Sequence, residues 1–193
     1  MASRLPAAER REQLLDVATT VFSDRGFHGA SMNDVAQAAG VTKPVLYQHF
    51  PSKRDLYLEL VEGVSGQLAE TVTTAARTKS DALNQAQAAL TAYFRFVEEN
   101  QREFRLLFGR GAPREEEFAS GSRLVENRMA ATIVDLLDDR IDPETRQVFA
   151  RAIVGMSEGV SRHWVAQDSR PSADSLAKQL AQLLVGGLAG LHD

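Results

Sequence analysis

The sequence predicts an all-α protein of about nine helices, with a three-helix helix-turn-helix domain followed by a larger helical domain. Apolar residues recur at spacings of three and four almost throughout the 193 residues, and no segment alternates as a strand does. Proline, aspartate and serine stand where helices begin, and glycine stands where several end. Residues 31–54 also combine two short helices around one glycine, which is the pattern of a helix-turn-helix.

The first three helices follow from local signals. Helix 1 is predicted from about Pro6 to Asp24 by one inward stripe of apolar residues, namely Leu14, Val17, Ala18, Val21 and Phe22. Helix 2 begins after Ser31, which forms a capping box with Asp34, and it ends at Gly40. Helix 3 runs from about Lys43 to Phe50. Thr42 is its predicted cap, Pro44 lies in its first turn, and Leu46 and Phe50 face inward.

The remaining helices are predicted from their start and stop signals. Helix 4 runs from about Lys53 to Thr78, helix 5 from Asp81 to Asn100, and helix 6 from Arg102 to Phe108. Helix 7 begins at Pro113, helix 8 runs from Asp142 to about Gln167, and helix 9 runs from Pro171 and Ser172 to Gly190. The fourth is long enough to pass from one domain into the next. The predicted domains are therefore a helix-turn-helix domain at residues 1–54 and a larger helical domain at residues 55–193.

The outer face of helix 3 carries the chemistry of a helix that reads duplex DNA. Hydroxyl and ammonium groups bind phosphate oxygens, a glutamine amide bonds to base edges, and valine packs on a thymine methyl. The alternative for Tyr47 and His49 is that they are half-exposed residues at a helix end. The predicted DNA contacts are Ser31, Thr42, Lys43, Pro44, Val45, Tyr47, Gln48, His49 and Lys53.

The charge is distributed unevenly along the chain. The whole chain has a net charge of −4, whereas residues 1–55 hold seven Lys or Arg against six Asp or Glu. Arg4, Arg10 and Arg11 are either further phosphate contacts or solvated charges near the terminus. Because the helix-turn-helix has so little excess charge, one copy is expected to bind weakly, and useful affinity requires a dimer.

Two segments carry a resemblance to a known family. The segments GVTKPVLYQHFPSKRDLY and RREQLLDVATTVFSDRGF resemble the DNA-binding domain of the TetR family of one-component regulators. The resemblance implies a homodimer that binds a palindromic operator under the control of a ligand in its C-terminal domain. By position, it implies operator contacts from Thr42, Lys43, Tyr47, His49 and Lys53. Pro44 departs from the family, which often has a small residue there, so close approach to a base at this position is in question.

Helices 5 and 6 concentrate aromatic residues, which are either plain core or the lining of a ligand cavity. The predicted cavity residues are Val64, Leu68, Leu90, Phe94, Val97, Phe104, Phe108, Leu124, Met129, Ile133, Met156 and Val160. Few charged residues share these inward faces, which favours a hydrophobic effector.

A closer likeness points to one class of effector. The segments AYFRFVEENQREFRLLF and IVGMSEGVSRHWVAQDSRP, together with KPVLYQHFPSK, resemble the actinobacterial branch that regulates fatty-acid synthase genes in response to long-chain acyl-CoA. That resemblance implies control of fatty acid metabolism by a small hydrophobic effector. Arg102, Arg105 and Arg128 are then either contacts to the CoA phosphates or solvated charges.

Helices 8 and 9 are predicted to form the dimer interface, as two helices per subunit in a four-helix bundle. The alternative is a monomeric core. The predicted interface residues are Ile153, His163, Trp164, Leu176, Leu180, Leu183, Leu184, Gly187 and Leu188.

Several other functions are disfavoured by the composition and motifs. There is no cysteine, and no histidine pairs at metal-binding spacing, so neither a metal, a cofactor nor an enzyme is predicted. No apolar run of 18 residues and no signal peptide is present, so the expected location is the cytoplasm, with no membrane partner.

The sequence therefore predicts a ligand-responsive, homodimeric transcription regulator that recognises double-stranded DNA. The family resemblance makes repression with release of DNA on ligand binding the commoner outcome, and the acyl-CoA branch also allows activation. The alternatives are a repressor of an efflux or catabolic gene with another hydrophobic effector, and a helical lipid-binding module that does not bind DNA.

Overall fold

The computed structural model describes residues 6–108, 119–167 and 171–189. Within these ranges the chain forms nine α-helices and no strand, which confirms the prediction of an all-α fold. The helices are α1 (Ala7–Gly29), α2 (Met32–Ala38), α3 (Lys43–His49), α4 (Lys53–Arg77), α5 (Ala82–Glu99), α6 (Gln101–Phe108), α7 (Ala119–Val134), α8 (Pro143–Val165) and α9 (Ala173–Ala189).

The described residues form two compact units, with the division between them inside α4. Unit one contains residues 6–64, 102–108 and 119–124, and unit two contains residues 65–101, 125–167 and 171–189. The predicted domain boundary at residues 54 and 55 also lies inside α4, ten residues earlier than the division at Val64 and Ser65. Residues of α6 and of the start of α7 also group with the first unit, which the sequence does not predict.

The core of unit one is a set of side chains buried between its helices. Leu14 and Phe22 come from α1, Val35 from α2 and Leu46 from α3, and each is at most 2% exposed. Aromatic rings extend this core, because Phe27 packs against Tyr57 with ring centroids 5.0 Å apart. These contacts fix α2 and α3 against the first and fourth helices, so the outer face of α3 has a defined position on unit one.

Unit two is built on α5, which packs along α9 and also against α8. Its central contact is between Phe94, which is fully buried, and Trp164, whose rings meet edge to face with centroids 5.7 Å apart. The indole Nε1 donates to the carbonyl oxygen of Pro171 at 2.8 Å. The buried hydroxyls of Ser161 and Tyr93 are 3.3 Å apart, and burial raises the pKa of Tyr93 to about 12.

Helix caps follow the sequence signals closely. The amide of Asp34 donates to the Ser31 hydroxyl, while the Asp34 carboxylate accepts from the Ser31 amide, so the predicted capping box is present. The hydrogen bonds from Ser31 lower the pKa of Asp34. At α5 and α8 the N-cap residues are themselves aspartates: the Asp81 and Asp142 carboxylates accept from the amides of Asn84 and Thr145. Hydrogen bonds from Asn84 and from Thr145 lower the pKa values of these two carboxyl groups.

Two glycines with positive φ shape the helix-turn-helix. Gly40 has φ 64° and ends α2, as the sequence predicts. Gly26 has φ 71° and ψ 164°, which breaks the regular helix inside α1. The prediction that the first helix ends near Asp24 misses the additional turn beyond Gly26. The predicted start of the seventh helix at Pro113 and the predicted end of the ninth at Gly190 lie outside the described residues.

Among the described helices, none combines the length and the apolar composition needed to cross a membrane.

Candidate functional site

The third helix presents one buried and one exposed face. Leu46 and Phe50 are at most 1% exposed, as the predicted inward stripe requires. On the opposite side Tyr47 is 48% exposed, an unusual value for a large aromatic residue, and Lys43 and Gln48 are exposed too. An exposed amphipathic ring beside an amide and an ammonium can stack, donate and bind anions at once. The arrangement therefore supplies the groups that duplex recognition needs.

The first turn of α3 leaves its polar groups accessible. Thr42 occupies the N-cap position, but its side chain makes no capping hydrogen bond, contrary to the role that the sequence suggests for it. Its carbonyl oxygen accepts instead from the amides of Val45 and Leu46, at 3.1 and 3.2 Å. Pro44 is exposed in the first turn, and Val45 is half-buried. The Thr42 hydroxyl is thus not committed to capping and can serve an external acceptor.

Ser31 differs from the other predicted DNA contacts, because its hydroxyl is already engaged. It accepts from the Asp34 amide at 3.2 Å and donates to the Asp34 carboxylate at 2.5 Å. The carboxylate also accepts from Arg25 of α1 at 2.7 Å. Ser31 therefore has a structural role in starting α2, and its contact with DNA stays a prediction.

Lys53 is also engaged inside unit one. Its Nζ donates to the carbonyl oxygens of Phe27 and Ala30, both at 2.8 Å, and lies 4.2 Å from the centroid of the Phe27 ring. Desolvation of the half-buried side chain lowers the pKa of Lys53. An ammonium has three donors, so these bonds leave one for a phosphate. The sequence identifies the cation at the start of α4 but not its role in holding the end of α1.

The N-terminus of α4 is capped by the neighbouring serine. The Asp55 amide donates to the Ser52 hydroxyl at 3.1 Å, and that hydroxyl donates to the Asp55 carboxylate at 2.7 Å. Ser52 and Asp55 therefore hold the first turn of α4 together. The positive end of the helix dipole and the Lys53 ammonium lie together at this point, which favours an anion.

Sequence reasoning missed the set of contacts around Arg11. Its guanidinium donates to the Glu59 carboxylate at 2.5 Å and to the carbonyl oxygen of His49 at 3.3 Å, and it lies 4.4 Å above the centroid of the Phe50 ring. The partners are 38 and 48 residues away in the chain. No local spacing could have revealed them, because they meet only when α1, α3 and α4 pack together.

The predicted effector-binding residues divide between the two units. Val64, Phe104 and Phe108 are buried in unit one, where the rings of Phe104 and Phe108 are 5.2 Å apart, and Leu124 is half-buried. The others belong to unit two: Leu68, Leu90, Phe94, Val97 and Met129 are buried, and Ile133, Met156 and Val160 are half-buried. Burial of this kind fits a plain core as well as the lining of a cavity, so the assignment stays a prediction.

A surface groove on unit two is formed by different residues. It has a volume of about 420 Å³ and lies between α5 and the C-terminal end of α4 with the two residues that follow it. None of the predicted effector-binding residues lines it. Its lining consists of Ala75, Thr78, Lys79, Asn84, Gln87, Ala88, Thr91, Ala92 and Arg95.

The predicted dimer residues fall into two groups. Trp164, Leu176 and Leu180 are at most 9% exposed in the single subunit, so they belong to its core and not to an exposed face. Their burial within the single subunit leaves little of their side chains for contact with a second subunit. The others remain accessible: Ile153 and Leu184 are half-buried, and His163, Leu183 (64% exposed) and Gly187 are exposed. The side chain of Leu188 lies outside the described part of the chain.

Searching the described residues for three or more neighbouring His, Cys, Asp or Glu side chains that could hold a metal ion finds no such group.

Two family models match the chain, one in each part. Residues 14–60 match the model described as bacterial regulatory proteins, tetR family, and residues 83–187 match the tetracyclin repressor-like C-terminal domain. The second match alone covers more than half of the chain, and both include helices whose positions are given above.

Individual relatives extend over nearly the whole length. The HTH-type transcriptional activator FasR of Mycolicibacterium smegmatis is 35% identical over 189 residues, which are 97% of this chain and 86% of that protein. This relative confirms the resemblance to the actinobacterial fatty-acid synthase regulators.

Solved structures share the fold. A TetR-like transcriptional regulator from Rhodococcus sp. RHA1 is 29% identical, with a TM-score of 0.77 that covers 97% of this chain and all of the other. The regulator FadR of Bacillus subtilis, solved in complex with stearoyl-CoA, is 18% identical and has a TM-score of 0.75 over 91% of this chain and 98% of that one. At this identity the second structure bears on the fold alone.

The exposed face of α3, its support by buried residues and the matches along both parts of the chain lead to one conclusion. The protein belongs to the TetR family of bacterial regulatory proteins and is a DNA-binding transcription regulator of that type, not an enzyme.

Proposed function

We propose that the protein is a homodimeric regulator that binds a palindromic operator and senses a long-chain acyl-CoA or fatty acid, and that it controls genes of lipid metabolism. The single observation that carries the DNA-binding part is the exposed ring of Tyr47 beside Lys43 and Gln48, on a helix fixed by the buried Leu46 and Phe50. A lipid-binding module that no longer read DNA would have no reason to keep this set of donors exposed.

The proposed DNA contacts have separate roles. Thr42, Lys43 and Lys53 bind phosphate oxygens, since a hydroxyl without a capping bond and two ammonium groups suit that chemistry. Gln48 reads base edges, and Val45 packs on a thymine methyl. Tyr47 and His49 contact the DNA backbone and so fix the position of α3 along the duplex. Ser31 and Pro44 contact the DNA at the edges of this surface.

Dimerisation is proposed through the accessible residues of α8 and α9. Leu183 is 64% exposed, and the neighbouring exposed glycines Gly186 and Gly187 allow close approach of two backbones. Ile153 and His163 extend the face along α8. A two-fold axis there would place one copy of α3 on each of two half-sites of the operator. The centres of the half-sites would be separated by one turn of DNA or by a whole number of turns. Two DNA-binding units in one dimer compensate for the weak binding expected of a single unit with little excess positive charge.

The effector proposal rests on buried apolar surface and on kinship. The buried aromatic residues of α5 offer apolar contacts for an acyl chain, and the relative FasR at 35% identity belongs to the branch whose resemblance implies an acyl-CoA effector. FadR of Bacillus subtilis holds stearoyl-CoA, which supports the proposal only as an example of the fold accepting such a ligand in another protein. Because the chromosome is the target, the proposed location is the cytoplasm.

The test is the effect of defined lipids on DNA affinity. A duplex selected by the protein from a randomised library is labelled, and its affinity is measured by fluorescence anisotropy with palmitoyl-CoA, palmitate, free CoA or none added. The proposal expects palmitoyl-CoA or palmitate to change the affinity at least about fivefold in either direction, and free CoA to leave it unchanged, since coupling energies of this kind are about 1–3 kcal/mol.

Each other outcome has a defined meaning. If the duplex is bound tightly and no lipid changes its affinity, the effector proposal is wrong, and a repressor of an efflux or catabolic gene with another hydrophobic effector is favoured. If no duplex is selected at low salt, the lipid-binding module is favoured instead. Native mass spectrometry of the purified protein supplies an independent readout, with a dimer carrying a copurified acyl species as the expected result.

A further inference from the structure

The third helix depends on its neighbours for its position. It has seven residues, which is too short to be stable alone in water. Its N-terminal end is joined to the turn after Gly40, and its middle is held by the burial of Leu46. The last carbonyl groups of any α-helix lack partners within that helix, so the C-terminal end needs an external donor.

Arg11 supplies that donor. It reaches from α1 to the carbonyl oxygen of His49, which is the last residue of α3, at 3.3 Å. The flat face of the guanidinium lies 4.4 Å from the centroid of the Phe50 ring, and Phe50 is 1% exposed. One planar group thus holds both the last helical residue and the residue that ends the helix.

The second edge of the guanidinium is fixed by α4. The Glu59 carboxylate accepts from Arg11 Nη2 at 2.5 Å, so one arginine joins three helices of unit one. A guanidinium suits this role because its donors form a rigid fork and its face stacks on aromatic rings, whereas a lysine offers a flexible point charge. The arrangement fixes where the C-terminal half of α3 lies.

We propose that Arg11 and Glu59 are positioning residues for DNA recognition, and that they hold the end of α3 which carries Tyr47, Gln48 and His49. The sequence offered two other roles for Arg11, a phosphate contact or a solvated terminal charge. The Glu59 carboxylate compensates the charge of Arg11. The other donor of the guanidinium is directed to the carbonyl oxygen of His49, and its face is directed to the Phe50 ring. Arg11 acts on the operator through the position of α3 and not through a phosphate.

The variant Glu59→Gln gives a test in which the two explanations predict opposite signs. Removing a negative charge from a DNA-binding unit strengthens or preserves binding if only the overall field matters. A positioning role predicts the reverse: affinity for the selected duplex falls about five- to tenfold, because a weakened pair in each subunit loosens both reading helices. Affinity for an unrelated duplex and the slope of log K against log salt stay as in the wild type, since no phosphate contact is lost.

Glu12→Gln is the matched control. Glu12 is an exposed neighbour of Arg11 on α1, so the substitution removes the same charge from the same unit without breaking the Arg11–Glu59 pair. It is expected to leave the affinity for both duplexes unchanged or slightly higher. If Glu59→Gln behaves as this control does, the proposal is wrong.

Arg11→Lys keeps the proposal testable if a Glu59 variant folds poorly, which thermal unfolding will reveal. Lysine preserves the charge but loses the fork and the stacking face, so we expect the same loss of affinity for the selected duplex with an unchanged salt slope. The assignment is wrong if Arg11→Lys binds the selected duplex as tightly as the wild type and Arg11→Ala lowers the slope of log K against log salt by about one. Arg11 would then be a phosphate contact. Failure of the wild-type protein to select any duplex would instead contradict DNA binding itself.

Discussion

Replacing Lys53 by methionine is expected to destabilise the free protein, because the ammonium holds the end of α1. Its Nζ bonds to the carbonyl oxygens of Phe27 and Ala30, both at 2.8 Å, and lies 4.2 Å from the centroid of the Phe27 ring. Methionine keeps an unbranched side chain of similar length and removes the three donors. The substitution therefore measures the contribution of the ammonium and leaves most of the packing in place.

The magnitude follows from these contacts. A hydrogen bond from a charged donor contributes about 1.5–3 kcal/mol net, and an exposed cation–π contact about 0.5–1 kcal/mol. Because Lys53 is only half-buried, the lower bounds apply, and releasing the ordered side chain returns about 1.5–2 kcal/mol of entropy. The expected loss in the free energy of unfolding is about 2 kcal/mol, which lowers Tm by about 4–8 °C in a chain of this size.

The assay is thermal unfolding of the DNA-free protein, followed by circular dichroism and calorimetry. Lys43→Met is the matched control, since Lys43 is exposed on α3 of the same unit and its loss should change stability by less than about 0.5 kcal/mol. An unfolding midpoint for Lys53→Met equal to that of the wild type would refute the reasoning. Lys53 would then serve only as an external cation.

Three further predictions concern other helices. Tyr57→Phe removes the bond from the buried hydroxyl to the carbonyl oxygen of Leu106 (3.0 Å), so guanidinium unfolding should show a loss of about 1 kcal/mol, and an unchanged midpoint contradicts this role. Gly63→Ala should stabilise α4 by about 0.5–1 kcal/mol in the same assay, because an added Cβ meets no atom within 4 Å, and a loss of stability would show a strained site. Hydrogen bonds lower the pKa values of the capping aspartates of α2, α5 and α8 from 3.8, so their stabilisation is complete above that pH and is lost as the pH falls through the lowered values. Thermal midpoints measured from neutral pH downward should therefore fall more steeply below about pH 4 in the wild type than in Asp→Asn variants, and equal slopes would exclude this source of acid sensitivity.

The parts of the fold that local chemistry determines could be predicted from the sequence. Ser31 and Asp34 stand three residues apart and form the capping box, and Gly40 adopts the positive φ that ends a helix. The inward stripe of Leu46 and Phe50 correctly indicates which face of α3 is exposed. Each of these features depends on residues within one or two turns, so the spacing alone carries the information.

Other features depend on partners far away in the chain. Trp164 of α8 and Leu176 of α9 are predicted dimer contacts, and both are buried in the single subunit. The sequence could not say whether the surface that covers them belongs to the same subunit. A periodic apolar face specifies burial and not the identity of the covering surface. The Trp164 ring packs on Phe94 of α5, and α9, which carries Leu176, packs along α5. Both residues are therefore covered within the subunit, and the proposed dimer face moves to more exposed neighbours.

Cations illustrate the same limit for the candidate site. Lys53 and Arg11 have the composition of phosphate contacts, and the charge count alone treats both as available to DNA. In the folded unit both hold neighbouring helices, through carbonyl oxygens in the first case and through Glu59 and His49 in the second. A sequence reveals that a charge is present, whereas its partners appear only when the helices pack.

The most direct test of the central claim is the binding of the selected duplex and of a scrambled duplex across a range of salt concentrations, with the wild type compared with Gln48→Ala and Lys43→Ala. The account predicts that Lys43→Ala weakens binding to both duplexes and lowers the salt slope by about one, because it removes a phosphate contact. Gln48→Ala should instead reduce the preference for the selected duplex and leave the slope unchanged. Negligible wild-type affinity for every duplex at low salt, or equal effects of the two substitutions on preference and slope, would contradict the assignment of α3 as the helix that reads DNA.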